Sequence, residues 1–595
     1  MARSIDRREF VRESAIAGIG LLRIPGCVTR PAVPPRVVAR PASALVDPDS
    51  RFFATARVET FSPVDTDSGG DLWPSCWAGD GYLYTANGDG RGFGPPSGDS
   101  DTVVSRISGT PETGLTGEAI SRGEAVANVW GEGYNRKPTG MLAVDGDGDG
   151  QDELYIAVQN LNARPCPACF NDAPTASISK SLDHGRTWRK TDAPMFTDYR
   201  FTTIFFLDYG QSGRNVGVLG PEGARYVYAY GLDHNWRSPT DPDRARPTDL
   251  YLARVPRDRI LERAAWEFFA GLGAGGQPTW SPDLERRQAA FHDERTVYPE
   301  LHCGGRPQGD TATSVGVISQ GSVVYNAPLD RYIYTSWTWY TWEFYEAPQP
   351  WGPWQLFLRK DFGAQPYLGE SDHPTCPDRN EGGYCTTIPS KFISADGRTM
   401  WVQSDSWERW VYACGTQNYN FSLRKLTVEP FVATEATNRP DPTDNLARTG
   451  EGVTPIEKSA VRGRVSCYND GERTPSESSE DCDARKPLDF WGYTWTRRYN
   501  LDRVAYTTGH VTPDGGWFDS VGGGLRVQVR QDFRWVDVAE LAITPAYPYD
   551  WRAGPEKRYE LTFRSTWGDG VRIVGPPGGV ARYTTIAELE VYYAG

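Results

Sequence analysis

Short hydrophobic runs, rather than long amphipathic stretches, set the pattern of this chain. Runs rich in Val, Ile, Thr, Tyr, Phe and Trp alternate with Gly, Asp, Asn and Pro, and few segments keep a helical period. Runs of this kind, separated by turn residues, are typical of β-strands joined by tight turns. The sequence therefore predicts an all-β protein.

The runs recur as similar groups along the first two thirds of the chain. From about residue 51 to residue 430, pairs of strands return at intervals of roughly 60 to 80 residues, the spacing expected of β-propeller blades with inserted loops. Five blades fit this length best, and six are the alternative. The segments are CWAGDGYLYTANGDG, GMLAVDGDGDGQDELYIAVQN, RYVYAYGLD, SVVYNAPLDRYIYTSW and SKFISADGRTMWVQSDSW.

The composition of the sequence changes after Pro430. Residues 431–445 are polar and contain prolines, as a linker does, and residues 446–595 are predicted to form a separate β-sandwich. The final stretch, GDGVRIVGPPGGVARYTTIAELEVY, resembles the closing strands of galactose-binding-like, discoidin-type domains. That resemblance implies a carbohydrate-binding module, and a structural module that binds nothing is the alternative.

Residues 1–44 are predicted to be an export signal followed by a Pro-rich tether. Arg7 and Arg8 precede a short apolar run, which resembles a twin-arginine signal. The run is too short for a permanent membrane span. IPGC, ending at Cys27, resembles a lipobox and would give a lipid anchor, whereas ASA at 42–44 resembles a signal-peptidase site. With either the lipid anchor or the cleaved signal, the protein is predicted to be exported. Its location would be periplasmic, on the cell surface, or extracellular.

Charge and cysteine content narrow the class further. The net charge of −14 argues against a general nucleic-acid binder, because phosphate contacts need clustered Lys and Arg. Ten cysteines in an exported chain indicate disulfides before metal sites. Three local pairs are predicted, and the protein is expected to be a monomer. The pairs are Cys166–Cys169, Cys376–Cys385 and Cys467–Cys482.

Two motifs predict structural roles. SLDHGRTW, from Ser181 to Trp188, resembles the Asp-box, a hairpin turn of sialidase-like propellers that usually lies away from the active site. DGDGDGQDE places oxygen ligands at alternate positions with glycines between them, which predicts a structural calcium loop. An acidic, solvated turn is the alternative. The predicted calcium ligands are Asp145, Asp147, Asp149 and Glu153.

The sequence lacks the signature motifs of most other kinds of catalytic site. The chain has no H-E-x-x-H motif, no G-x-S-x-G elbow, and no phosphate-binding glycine loop between a strand and a helix. Paired carboxylates remain, and these are the groups that glycoside hydrolysis needs. The abundant aromatic residues, 12% of the chain, fit stacking surfaces for sugars, although a large β-protein also packs aromatics in its core.

Asp71 and Asp89 are the candidate pair. They flank a hairpin in GGDLWPSCWAGDGYLYTANGDG, and a hairpin centred on Asp80 would make them face each other. Facing residues lie roughly 4.5–5.5 Å apart at Cβ. Two carboxylates so close repel, so the pKa of one should rise, as an acid catalyst requires. The alternative is that Asp89, in NGDG, is only a turn residue.

Several blocks resemble, in the same order, a propeller family that includes bacterial endo-D-arabinanases. They are DLWPSCWAGDGYLYTANGDGRGFG, KPTGMLAVDG, YVYAYG, LYLARVPRDRI, YEAPQPWGPW and SADGRTMWVQS, and they extend from about Asp71 to Leu426. The resemblance implies a five-bladed propeller glycosidase with Asp71 and Asp89 as catalytic residues. DGDGDGQDE and RPCPACFN depart from the family pattern. Four residues are candidates to line or support the substrate funnel: Trp73, Lys137, Asn160 and Glu346.

The combined expectation is an exported glycoside hydrolase that acts on a polysaccharide. The leading candidate is endo-acting cleavage of D-arabinan, an arabinofuranose polymer. Two alternatives stay open: a non-catalytic carbohydrate-binding propeller, and a sialidase-like exo-glycosidase, which needs an arginine triad and a tyrosine nucleophile.

Overall fold

The computed structural model describes most of the chain from Ser50 onward. The described residues are 50–59, 64–162, 172–237, 245–297, 302–303, 306–307, 315–338, 341–361, 384–405, 419–431, 440–457, 468–469, 471, 477–478 and 488–594. The predicted export signal, Cys27 and the tether lie outside these residues.

Five groups of antiparallel strands follow one another between residues 53 and 430, and we number them sheets 1 to 5. Sheet 1 contains Gly69–Asp71, Ser75–Trp77, Leu83–Gly92, Val103–Thr110 and Gly114–Arg122. Sheet 2 contains Tyr134–Val144, Glu153–Asn162 and Thr175–Ser181. Sheet 3 contains Thr203–Asp208, Tyr226–Leu232, Asp249–Pro256, Glu267–Leu272, Pro278–Ser281 and Ala289–His292. Sheet 4 contains Val323–Asn326, Arg331–Trp337, Thr341–Ala347 and Gln355–Asp361. Sheet 5 contains Tyr384–Thr387, Thr399–Asp405, Leu423–Pro430 and Phe53–Val58.

The order of the sheets closes on itself. Phe53–Val58, the first strand of the region, pairs with Leu423–Pro430, its last. The first strands of neighbouring sheets also meet: a Cβ on Gly140 of sheet 2 would lie 2.8 Å from the Cα of Phe205 in sheet 3. Strand Thr203–Asp208 of sheet 3 pairs in parallel with Val323–Asn326 of sheet 4. The first and last strands of residues 53–430 therefore lie in one sheet.

Aromatic side chains fill the spaces between the sheets. Trp266 and Phe201 are fully buried in a cluster between sheets 2 and 3. Phe205 and Tyr334 stack between sheets 3 and 4, with ring centroids 6.4 Å apart. Much of the aromatic content therefore serves packing.

The C-terminal region is a β-sandwich with a separate core. Its seven-stranded sheet contains Thr454–Glu457, Asp489–Thr507, Arg526–Gln531, Arg534–Asp537, Ala542–Thr544, Arg558–Gly575 and Glu588–Tyr593. A second pair joins Glu477–Ser478 to Thr585–Ile586. Trp491, Trp495 and Tyr468 are fully buried in the core. The predicted all-β class with a C-terminal sandwich is confirmed.

The remaining elements are short. Two small strand pairs join Thr296–Val297 to Val315–Gly316 and His302–Cys303 to Arg306–Pro307. Within the described residues, the α-helices are Gly220–Gly223 and Leu446–Thr449. The 3₁₀ helices are Gly123–Ala125, Gln211–Leu219, Arg263–Ala265, Leu284–Arg286, Ala327–Leu329, Ser390–Phe392, Val521–Gly523 and Trp551–Ala553. Among the described elements, none is a helix of the length and apolar character that a membrane crossing requires.

Side-chain hydrogen bonds hold the turn from Ser181 to Trp188. The Asp183 carboxylate accepts from the Thr187 amide at 2.8 Å and from the Thr187 hydroxyl at 2.7 Å. Gly185 has a φ of 83°, and buried Trp188 donates to the Ser121 hydroxyl at 2.9 Å. The motif thus holds a turn in sheet 2.

One predicted disulfide is wrong. Cys385 is a free, buried thiol, and so is Cys76. Burial, aided by nearby carboxylates, raises the pKa of both thiols well above its ordinary value. The pairs Cys166–Cys169 and Cys467–Cys482 lie outside the described residues.

Candidate functional site

The first hairpin is centred where the sequence predicts. Ser75 pairs with Thr85, Cys76 with Tyr84, and Trp77 with Leu83, so Asp80 lies at the centre. Asp80 accepts hydrogen bonds from the Tyr82 amide at 3.1 Å and the Tyr84 hydroxyl at 2.7 Å. Asp80 therefore holds the turn.

The register shifts before it reaches Asp71. Leu72 and Trp73 adopt left-handed backbone conformations, with φ of 76° and 44°, and Asp71 pairs with Gly88 instead of Asp89. The direct cross-strand pair predicted from the sequence is therefore wrong. A two-residue irregularity of this kind re-aims the side chains beside it, which sequence symmetry alone does not reveal.

Asp71 and Asp89 nevertheless meet around Lys137. Lys137 belongs to sheet 2, is buried, and forms an ion pair with Asp89. A Cβ on Gly88 would lie 2.5 Å from Oδ1 of Asp71 and 3.2 Å from Nζ of Lys137. Both charged atoms therefore approach the same point, and the absence of a side chain at Gly88 makes room for them.

The pKa of Lys137 reflects its burial beside Asp89 and Asp71. Burial alone lowers the pKa of its ammonium, but the Asp89 and Asp71 carboxylates raise it, and the net direction is upward. Lys137 therefore stays protonated at neutral pH, between two acidic groups.

Sheet 5 and the segment just before its strand Leu423–Pro430 contribute residues that sequence reasoning missed. The Leu72 amide donates to Oδ2 of Asp405 at 3.0 Å, and the Tyr419 hydroxyl donates to Oδ2 of Asp71 at 3.0 Å. Both partners lie more than 300 residues along the chain from Asp71. The available signal was the change from apolar MWV to polar QSD at the end of strand Thr399–Asp405.

Charges from several sheets converge near the buried Cys385. Burial is the largest cause of its raised thiol pKa; Asp405 and Asp71 raise it further, whereas Arg237 and Lys137 lower it. Arg237 is itself buried, with its guanidinium 5.0 Å from the ring centre of Trp236. Buried charge gathered from separate sheets is costly, and such arrangements are typical of functional sites.

Three other residues predicted to bind substrate make contacts different from those of Lys137. Trp73 is 0% exposed and packs edge-on against Phe93 and Phe421, so its burial leaves no ring face for a sugar, and that assignment is wrong. Asn160 is buried and accepts from the Trp130 amide at 3.0 Å, which ties down a loop. Glu346 lies in the third strand of sheet 4 and accepts from the Ser50 hydroxyl at 2.7 Å.

The acidic loop between the first two strands of sheet 2 brings three of four predicted ligands together. Carboxylate oxygens of Asp145, Asp147 and Asp149 lie within 4.8 Å of one another. Glu153 lies apart from this group in its contacts: it is buried, accepts from the Gly146 amide at 2.6 Å, and pairs with Lys180 at 2.5 Å. Three oxygen donors fit a hard cation such as calcium, with Glu153 supporting the loop from beneath.

The centre offers two carboxylates in unequal environments. Asp71 is 6% exposed, whereas the Asp89 side chain is 35% exposed and bound to a cation. Two carboxyl groups that reach one point are the kind of arrangement that acid–base cleavage of a glycosidic bond requires.

The chain was compared with protein families, curated proteins and solved structures. No family model and no curated protein matches the chain. Among solved structures, CpGH89CBM32-5 of Clostridium perfringens, solved with GalNAc-β-1,3-galactose, is 16% identical, with a TM-score of 0.19 over 24% of this chain and 94% of that one. A "putative hydrolase" of Bacteroides ovatus is 11% identical, with a TM-score of 0.35 over 62% of this chain and 87% of that one. A chitosan-binding module from Paenibacillus is 19% identical, with a TM-score of 0.18 over 25% of this chain and 97% of that one.

Proposed function

We propose that the protein is a glycoside hydrolase that cleaves a polysaccharide, with Asp71 and Asp89 as its catalytic pair. The observation that carries the proposal is the meeting of both aspartates at Lys137 and Gly88. One carboxyl group protonates the glycosidic oxygen, and the other either activates water or attacks the anomeric carbon.

The arrangement around the pair supports catalysis over a purely structural role. Asp405 of sheet 5 and Tyr419, which precedes strand Leu423–Pro430, bind the Asp71 segment. Lys137 reaches Asp89 from sheet 2. Groups held by separate sheets keep their geometry better than groups on one loop, and catalysis depends on such preorganisation.

D-arabinan, cut within the chain, is the leading substrate. This choice rests on the resemblance of the sequence blocks from Asp71 to Leu426 to the endo-D-arabinanase family. In the same proposal the C-terminal sandwich is a carbohydrate-binding module, and the protein is exported through its twin-arginine-type signal. Its monomeric state and the lipid anchor at Cys27 belong to this proposal as well.

Calcium has a structural role in the proposal. Asp145, Asp147 and Asp149 would hold the ion, which stabilises the hairpin loop and takes no part in the reaction.

The test is product analysis with the full chain on a panel of D-arabinan, other plant and bacterial polysaccharides, and sialosides. We expect oligosaccharides from D-arabinan, and no products from the double variant Asp71→Asn/Asp89→Asn. Glycan binding without any cleavage by the wild type would favour the non-catalytic propeller. Release of terminal sialic acid alone would favour the sialidase-like alternative.

A further inference from the structure

A cavity lies where the segment between sheets 2 and 3 meets two turns of sheet 3. Its volume is about 340 Å³, and its lining includes Asp198, Arg200, Arg263 and Glu285, none of which belongs to the centre around Lys137. We propose that this cavity is a further saccharide site, which binds one neutral sugar unit of a glycan. This inference rests on the proposed function for the choice of a glycan as ligand, and on the cavity itself for its position.

Arg263 has no acid partner among the residues that the structure describes. It is half-buried, and its guanidinium lies 4.9 Å from the ring centre of Phe196 and 5.1 Å from that of Phe268. Burial lowers the pKa of this guanidinium, and no described carboxylate raises it. Other arginines of sheet 3 pair with acids, as Arg254 does with Glu267 at 2.8 Å. Because a guanidinium stays protonated and carries five N–H donors, Arg263 has donors to offer a ligand.

Two other residues of the lining supply acceptors. The exposed Asp198 carboxylate accepts from the Thr197 hydroxyl at 2.7 Å, and a carboxylate oxygen of Glu285 lies 3.6 Å from the Arg200 guanidinium. A sugar hydroxyl both donates and accepts, so one sugar unit can bind arginines and carboxylates together. Two carboxylates in the same cavity repel an anion, which favours a neutral ligand over a carboxylate or a phosphate.

Contacts outside the cavity hold two parts of its lining in place. Next to Asp198, the Tyr199 hydroxyl donates to Asp172 at 2.6 Å. The Asp283 carboxylate accepts from the Glu285 amide at 3.0 Å. Small-molecule sites are mostly preformed clefts of roughly 300–1,000 Å³. The cavity is at the lower end of that range, which suits one sugar unit rather than a long stretch of polysaccharide.

The test measures hydrogen–deuterium exchange of the full chain by mass spectrometry. The Asp71→Asn/Asp89→Asn background keeps the probe from being cleaved. The probes are a neutral arabinofuranose oligosaccharide, galactose and, as the anionic comparison, glucuronate. We expect at least one neutral sugar to slow exchange in residues 195–200 and 284–287, and glucuronate alone not to do so.

Variants locate the binding at Arg263. Arg263→Met loses hydrogen bonds from a charged donor, so about 10-fold more sugar should be needed for half of the protection. Asp198→Ala, at an exposed position, should weaken the protection too and tests the site even if Arg263→Met does not fold. Arg225→Met is the matched control, because Arg225 is an exposed arginine of sheet 3 that pairs with Glu222 at 3.1 Å and does not line the cavity. It should keep the full protection.

Three results would overturn the inference. Full protection in both Arg263→Met and Asp198→Ala would mean that Arg263 only covers the rings of Phe196 and Phe268. Absence of protection by either neutral sugar would remove the site. Protection by glucuronate alone would make it an anion site.

Failure of the proposed function has a separate readout, which is the absence of cleavage by the wild type on the polysaccharide panel. The exchange measurement does not depend on cleavage. A wild type that cleaves glycan, combined with no protection in residues 195–200 and 284–287, would therefore defeat this inference and leave the proposed function standing.

Discussion

The five-sheet region and the C-terminal sandwich bury charge in different ways. In the sandwich, charged side chains pair with groups on a neighbouring strand: Arg530 pairs with Asp569 at 2.8 Å, and Arg572 donates to Gln528 at 2.8 Å. Arg530 also donates to the backbone carbonyl of Ala54 in sheet 5. In the five-sheet region, charged groups from sheets 1, 2 and 5 meet at one centre, where Lys137 pairs with Asp89.

This difference in the placement of buried charge indicates a different role for each region. A local pair within one sheet satisfies charge where it arises and contributes to the fold. A centre assembled from separate sheets holds charged groups in a fixed geometry at a cost in folding stability. That compromise is expected at an active site. The two regions should therefore respond oppositely to mutation: the sandwich in stability, and the five-sheet centre in activity.

The largest expected effect is in the sandwich. Asp569→Leu leaves Arg530 without its carboxylate and should lower the free energy of unfolding by about 3–5 kcal/mol, the usual cost of breaking a buried pair from one side. Urea unfolding of the full chain measures this loss. Glycan cleavage by the folded fraction should stay at the wild-type level. Replacing both partners, as in Arg530→Met/Asp569→Leu, should recover much of the loss, and equal damage in both variants would contradict the local-pair account.

The second prediction concerns the support of Asp71 by Asp405. Asp405→Leu removes the acceptor of the Leu72 amide and should displace the Asp71 segment. A displacement of about 1 Å near the reacting atoms can cost 10²-fold in rate, so kcat should fall by about that factor. Asp405→Asn keeps an acceptor oxygen and serves as the matched control. If the two variants lose kcat equally, the hydrogen bond to Leu72 is not what matters.

A smaller effect is expected at the turn from Ser181 to Trp188. Burial alone would raise the pKa of Asp183, but hydrogen bonds from Thr187 and Ser181 outweigh it and hold the pKa below its ordinary value of 3.8. The carboxylate therefore stabilises the protein above that pH, and its contribution is lost as the pH falls through the folded pKa. Asp183→Ala should cost about 1 kcal/mol at neutral pH, measured by urea unfolding. The cost should diminish toward pH 3, and Asp192→Ala, at an exposed site nearby, should cost nothing at either pH.

The smallest effect is the response to calcium. Binding to the folded state at a concentration near the Kd stabilises by less than about 1 kcal/mol, so 1 mM calcium should raise Tm by a few degrees at most. The double variant Asp147→Asn/Asp149→Asn should abolish the rise, and magnesium should not reproduce it. An equal rise in the variant would place the effect elsewhere in the chain.

Sequence reasoning reached the fold class and part of the site. Alternating strands predicted an all-β chain, and the symmetry about Asp80 predicted the pairing of Ser75 to Trp77 with Leu83 to Thr85. It failed at Leu72 and Trp73, whose left-handed backbone conformations accompany the change in register. Neither residue is a glycine, so the sequence gives no sign of these conformations. Composition indicated stacking aromatics, yet Trp73 is in the core, because packing and sugar binding use the same residue types.

The rest of the centre depends on contacts that the sequence does not encode locally. Asp405 and Tyr419 reach Asp71 only because the last sheet closes beside the first. Lys137 was named from its block, but its pairing with Asp89 required the packing of sheet 2 against sheet 1. Long-range closure, more than local propensity, therefore assembles the candidate site.

The most direct test of the central claim is kcat/KM for D-arabinan cleavage by the wild type and three single variants, Asp71→Asn, Asp89→Asn and Asp80→Asn. We expect losses of about 10³-fold or more for Asp71→Asn and Asp89→Asn, and near wild-type activity for Asp80→Asn. Asp80 contacts Tyr82, Tyr84 and His184. Full activity in both Asp71→Asn and Asp89→Asn, with the wild type active, would contradict the assignment of the site.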